Sequence, residues 1–237
     1  MASESVTRRR LLQAAALGAG LAATGRTAGG RAAAAGPGAP DRPGGKTVPA
    51  IRNADFYGAD GKFLGDKAKQ AYYDMMRRFD YPVPDRLKGQ DFWALDFGLG
   101  DFAGVGMAGI FWWNSQKYGY FGHEIYLLPG QMIVEHAHVA TEAGPAKMEA
   151  WHVRHGMIWT LGEGEETRPM PVRLPESQAR FITVRHAEPL KPGEVRELNR
   201  PTARHFMVAG PEGAIVTEYA TYHDGAGLRF TNPGVKF

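Results

Sequence analysis

The sequence predicts an all-β barrel or sandwich preceded by one amphipathic helix. Beyond residue 90, short apolar or aromatic runs alternate with Gly, Pro and Asn breaks over 92–97, 105–113, 123–128, 131–136, 149–154, 156–161, 180–186, 203–208 and 213–220. No long helical period interrupts them, which argues against a parallel α/β sheet. The clear helical period lies earlier, over 66–80, where Ala68, Ala71, Tyr72, Met75, Met76 and Phe79 share one face.

Taken in order, the chain of 237 residues opens with Thr7-Arg8-Arg9-Arg10-Leu11-Leu12, paired arginines directly before the mild apolar run 11–23. That run is too short and too rich in Ala and Gly to span a bilayer stably, and the small residues Ala32–Ala35 offer cleavage positions. Residues 1–35 resemble a twin-arginine signal peptide, which implies passage through the twin-arginine translocase to the periplasm or the outside, after folding. Residues 36–49, rich in Gly and Pro, read as a linker, and a single domain is expected over 50–237. The net charge of +3 belongs to the leader, where Arg8, Arg9, Arg10, Arg26 and Arg31 face only Glu4. The rest is nearly balanced, with no basic bias of the kind that nucleic-acid binding requires. Cysteine is absent, which excludes disulfides and zinc–thiolate sites.

The helix is expected to start with Asp66 as its cap, and Pro82 and Pro84 forbid its continuation. Gly104-x-Gly106-x-x-Gly109 matches a dinucleotide-binding pattern, but the strand-like Ile110-Phe111-Trp112-Trp113 follows it where a helix N-terminus is needed. Glycine at tight bends or close strand crossings is the better reading.

The residues that carry chemistry begin at Gly130-x5-His136-x-His138. Two histidines at i, i+2 on a strand face the same way and approach one ion from a rigid scaffold. Glu149 opens a further strand-like run, placed to reach the pair from an adjacent antiparallel strand, and His205 supplies a fourth group. Three imidazoles and a carboxylate suit Mn, Fe, Co, Ni or Zn. The spacing of Gly130, His136, His138, Glu149 and Gly156 reproduces the first cupin motif with a longer loop before the glutamate. Pro201-x3-His205 resembles the second motif in shortened form. A cupin jelly-roll barrel with an N-terminal helical segment follows as the expected fold.

Within the cupins, residues 94–237 resemble the D-lyxose isomerase family. The matching segments are Leu95-Asp-Phe-Gly-Leu-Gly100, Leu128-Pro-Gly-Gln131, His136-x-His138, Lys147-Met-Glu149, Pro201-Thr-Ala-Arg-His205, Gly213-Ala-Ile-Val-Thr-Glu218 and Phe230-Thr-Asn-Pro233. The leader and Asn232, where relatives can carry Asp, depart from the pattern. The resemblance implies a homodimer, manganese as the ion, and aldose–ketose isomerisation of D-lyxose or D-mannose by proton transfer through a metal-stabilised enediolate. Glu218 shares a face with Ala214 and Val216, where a carboxylate is costly unless it is paired or functional, and it is the candidate base. Lys147, two residues before Glu149, is the candidate for moving the proton between sugar oxygens.

Other functions remain open on the sequence alone. Three histidines and a glutamate also hold iron in cupin dioxygenases, and an exported cupin can bind sugar without turning it over. His123, His152, His155, His186 and His223 have no spaced partner and read as surface or packing residues. Trp93, Trp112, Trp113, Trp151 and Trp159 read mostly as core, one or two of them available to floor a sugar site.

Overall fold

The computed structural model describes residues 50–236, so the signal peptide and linker expected over 1–49 lie outside the described residues. The helix α1 (Gly65–Arg78) buries Ala68, Tyr72, Met75 and Met76 as the period requires, with Ala71 and Phe79 partly covered beside them. Covering each of its large apolar side chains is worth about 1.5–3 kcal/mol. Asp66 is not the cap: Leu64 holds that position without a side-chain cap bond, and Asp66 lies in the first turn. A carboxylate there still complements the positive end of the helix dipole. Asp80 leaves the helix at a φ of 52°. The two prolines then lead into α2 (Asp85–Lys88), a single turn too short to show a period.

Nine strands follow: β1 (Phe92–Leu95), β2 (Met107–Ser115), β3 (Tyr120–Leu127), β4 (His136–His138), β5 (Glu149–Gly162), β6 (His186–Leu190), β7 (Val195–Glu197), β8 (His205–Ala220) and β9 (Leu228–Phe230). All their pairings are antiparallel. β8 organises them. Its first half pairs with β4 and the end of β5, and its second half pairs with β3 and the start of β5. The ladder therefore curls into two facing layers, β1-β2-β3-β8-β5-β7 and β9-β4-β8-β5-β6. The pairs of runs expected over 149–154 with 156–161, and over 203–208 with 213–220, are each one long bent strand.

The bend has a local cause. Register shifts fall between Val153 and His155 and between Gly156 and Ile158, and bulges of this kind bend a strand and sharpen its twist. Gly156 and Gly213 take φ of 68° and 85°. A Cβ on Gly156 would lie 1.9 Å from the Gly213 carbonyl oxygen, so the two strands pass at a distance that only glycine permits.

Between the layers lies an apolar core that includes Ile125, Leu127, Trp151, Val153, Met207 and Val216. α1 seals the outer face of the first layer over Phe92, Ile110, Tyr126 and Ile215. A third cluster, with Ile182, Val184, Phe206 and Val208, covers the outer face of the second. Two expected strands are corrected. Residues 131–135 are irregular, their amides used singly, as in Met132 N to Gly104 O at 2.9 Å and Ile133 N to Met207 O at 3.0 Å. Residues 180–185 also leave the ladder, because the Thr183 and Val184 amides donate instead to the buried carboxylate of Glu135, at 2.7 and 3.2 Å. The glycine pattern at 104–109 is no nucleotide loop: Gly109 lies within β2, where a Cβ would meet His123 Nε2 at 2.4 Å and the Trp93 ring at 2.7 Å.

Candidate metal centre

His136 and His138 enter from β4, His205 from the start of β8, and Glu149 from the start of β5. Their donor atoms all lie within 4.8 Å of one another. That is close to the spread expected around one ion with bonds of about 2.0–2.2 Å. β4 pairs with β8 and β9 and not with β5, so Glu149 does not reach the histidines along a neighbouring strand as expected. It reaches them from the opposite layer, across the interior.

The chemistry of the donors fits a divalent cation. The Nδ1 atoms of His136 and His205 lie 2.9 Å from the carbonyl oxygens of Val134 and Ala203. A carbonyl only accepts, so Nδ1 carries a proton and Nε2 is the atom turned toward the group. Burial lowers the His205 pKa, but Glu149 beside it outweighs this and raises it, so an arriving ion would displace the proton shared there. The Nε2 atoms of His138 and His205 are buried without a hydrogen-bond partner, although His205 Nε2 is 2.5 Å from Glu149 Oε1 and His138 Nε2 is 3.6 Å from Glu149 Oε2. With His136, these donor atoms crowd into one small buried volume. Burial holds His136 down to about 3 and His138 down to about 2, leaving both neutral for ligation. Burial also pushes the Glu149 carboxyl up, but Lys147 and His205 outweigh it and hold the group well below the usual carboxylate range.

Beside this group runs a second line of charge. Lys147 Nζ lies 2.6 Å from Glu149 Oε2 and donates a short hydrogen bond to Glu218 Oε1, while Glu218 Oε2 meets His123 Nδ1 at 3.1 Å. Burial opposes the charge on Lys147, and the two carboxylates overcome it, leaving its pKa raised. Burial likewise pushes Glu218 up, and Lys147 and His123 bring it below its ordinary value. Glu218 is thus an ionised carboxylate on the inward face that it was expected to occupy with Ala214 and Val216, both buried in the interior cluster.

All six expected site residues converge on one cavity of about 600 Å³ including its mouth, walled by aromatic side chains among which are Trp93, Phe111, Phe121 and Trp151. Trp93 and Trp151 line this cavity, whereas Trp113 is exposed. His152, His155 and His186 lie away from the cavity, and His155 stacks on Phe79 of the helix end at 5.4 Å. His123 and His223 pack on aromatic rings as read from the sequence and stay outside the metal group, but both also line the cavity, which the sequence reading did not foresee. His123 carried a usable signal: it alternates with Ile125 and Leu127, which face the interior. His223 follows β8 in irregular chain, and no periodicity marks it.

No family model matches the chain. Three relatives do. It is 31% identical over 168 residues to the D-lyxose/D-mannose isomerase of Thermosediminibacter oceani, covering 71% of this chain and 91% of that one. It is 30% identical to the D-lyxose ketol-isomerase of a Thermofilum species, covering 74% and 95%, and 33% identical to that of Cohnella laeviribosi, covering 60% and 76%. Among solved structures, the L-ribose isomerase of Cellulomonas parahominis with L-psicose superposes with a TM-score of 0.56 at 15% identity, covering 76% of this chain and 95% of that one. An Acinetobacter L-ribose isomerase in complex with L-ribose gives 0.55 at 15% identity, covering 72% and 92%. These structures share the double-layered cupin-type fold, and the sequence relatives go further: the chain belongs to the D-lyxose isomerase family of sugar isomerases.

Proposed function

We propose that the protein is a metal-dependent aldose–ketose isomerase interconverting D-lyxose with D-xylulose, D-mannose with D-fructose, or both, with manganese as its ion. The observation that carries the mechanism is the placement of Lys147 between Glu149, in the metal group, and Glu218, outside it. His136, His138, Glu149 and His205 would hold the ion. Bound there, it would draw electron density from the sugar O1 and O2 and ease loss of the C2 proton.

The rest falls to the chain. Glu218 removes the proton from C2 of the aldose, and the electrons of that bond form the C1–C2 double bond. Lys147, between the two carboxylates, donates to the sugar oxygen where charge collects and moves a proton from O2 to O1. Glu218 then returns its proton to C1, leaving the carbonyl at C2. His123, bonded to the far oxygen of Glu218, holds the base in position. The aromatic walls exclude water, which strengthens each of these interactions. A base paired with an ammonium group has no evident use in a dioxygenase, and it favours proton transfer over simple sugar binding.

The decisive measurement is ketose formation from a panel of aldopentoses and aldohexoses by the manganese-loaded protein. Absence of any ketose, with the ion bound, would remove the isomerase reading. Export by the twin-arginine route and a homodimeric assembly complete the proposal. Its cellular half is tested by fractionation, since replacing Arg8 and Arg9 by Lys should retain active protein in the cytoplasm.

A further inference from the structure

Among the described residues outside the metal group, two imidazole nitrogens in the wall of the cavity are buried without a hydrogen-bond partner, His123 Nε2 and His223 Nδ1. The first lies against Gly109 and belongs to a ring already engaged with Glu218. The second has no such explanation. His223 is held firmly from behind: its backbone N–H donates to Asn114 Oδ1 at 3.1 Å, and its carbonyl accepts from Asn114 Nδ2 at 2.9 Å. The next residue, Asp224, accepts from Thr141 Oγ1 at 2.7 Å. The His223 ring stacks on Phe121 at 5.2 Å, and its centroid is 6.2 Å from that of His138. A fixed ring packed on Phe111 and Phe121 with one buried polar atom unpaired is costly unless something in the cavity pairs with it.

We propose that His223 Nδ1 recognises a hydroxyl of the open-chain sugar beyond the two carbons that react. The inference rests on the isomerase reading above. The distance from His138 is within the length of a pentose whose first two oxygens face the metal group. Sugar hydroxyls donate and accept, so either neutral tautomer of His223 can bind one. A group that hydrogen-bonds a buried hydroxyl discriminates strongly against sugars that lack it or present it on the other side, because the polar atom is then left unpaired. His223 thereby helps to set which aldoses are accepted, without taking part in proton transfer.

The test compares the metal-loaded wild type with His223→Phe, which keeps the aromatic stack and removes both nitrogens, and His223→Gln, which keeps a polar group. The probe is D-arabinitol, the polyol obtained by reducing D-lyxose, titrated by calorimetry. Steady-state kinetics on D-lyxose and D-mannose accompany it. His223→Phe should raise the polyol Kd and the sugar KM about tenfold, with kcat little changed and wild-type metal content and Tm. His223→Gln should recover part of the loss. Unchanged Kd and KM in His223→Phe would overturn the assignment, as would loss of its metal. If the wild type makes ketose and His223→Phe behaves identically, the assignment falls and the isomerase reading stands. If polyol binding depends on His223 but no aldose yields ketose, the isomerase reading falls and the hydroxyl contact stands.

Discussion

Glu149 and His205 sit at opposite ends of one antiparallel ladder, yet Glu149 Oε1 and His205 Nε2 lie 2.5 Å apart. Glu149 pairs with Ala220, and His205 pairs with Gly162. A straight ribbon of that length would separate them by about 40 Å. The fold closes this gap by bending β5 and β8 together at Gly156 and Gly213, which makes the corner as necessary to the metal group as the ligands are.

Gly156→Ala should therefore do more than local damage. Its φ of 68° disfavours a side chain, and the added methyl meets the Gly213 carbonyl oxygen at 1.9 Å. Positive-φ strain and overpacking together should cost about 2–5 kcal/mol, read by chemical denaturation. Bound metal should fall in the surviving folded fraction, because the shift separates Glu149 from His205. Wild-type stability with full metal content would show that the corner tolerates a side chain.

Much of this was legible in the sequence, and the exceptions have physical reasons. The α1 stripe, the His136 and His138 pair and the inward Glu218 each follow from a local period of 3.6 or 2. What the sequence did not show is pairing between distant segments. β7 and β9 have three residues each, too few for a pattern. Residues 131–135 have the composition of a strand, but Gln131 and Glu135 spend their side chains bonding other segments. Which layer delivers Glu149 depends on β8 lying between β4 and β5, and no local motif encodes that order. The link from His123 to Glu218 spans 95 residues and exists only because β3 pairs with the second half of β8.

Removing a ligand should remove the ion. For His136→Ala and His205→Ala, elemental analysis should fall from about one ion per chain toward none, with activity lost in parallel. Stability offers a second readout. An ion at a thousand times its Kd should stabilise the wild type by about 4 kcal/mol; chelation should abolish this gain, and both variants should lack it. Metal content at the wild-type level in either variant would remove that histidine from the group.

Lys147→Met should alter the pH profile as well as the rate. Burial raises the Glu218 pKa, Lys147 and His123 lower it, and Glu149 raises it. Without the ammonium, burial and the repulsion of Glu149 are opposed by His123 alone among these groups, and the pKa of Glu218 rises. A base acts when ionised, so the acid limb of kcat/KM should move to higher pH, and the variant should regain part of its activity as pH increases. A uniform fall in rate with the acid limb unmoved would mean that Lys147 does not set the charge on Glu218.

Glu218→Gln should keep the metal and lose isomerisation. The amide preserves the shape of the side chain but cannot accept the proton from carbon. The buried ammonium of Lys147 retains Glu149 as its partner at 2.6 Å, so the fold should survive. General acid–base groups contribute about 10²–10⁴-fold, and the loss should reach or exceed the upper end if this carboxylate alone carries the proton between carbons. A purely structural Glu218 gives the opposite pattern, a lower Tm with near-normal turnover per folded molecule. Solvent exchange separates the steps further. In deuterated water the wild type should exchange the C2 proton of the aldose, and the variant should not. Exchange by Glu218→Gln at the wild-type rate would transfer the role of base to another group, Lys147 first. Turnover by the wild type with no trace of deuterium at C1 of the ketose would weaken proton transfer in favour of a hydride shift. A shielded carboxylate can return the same proton, so the Glu218→Gln rate has to be read together with the exchange.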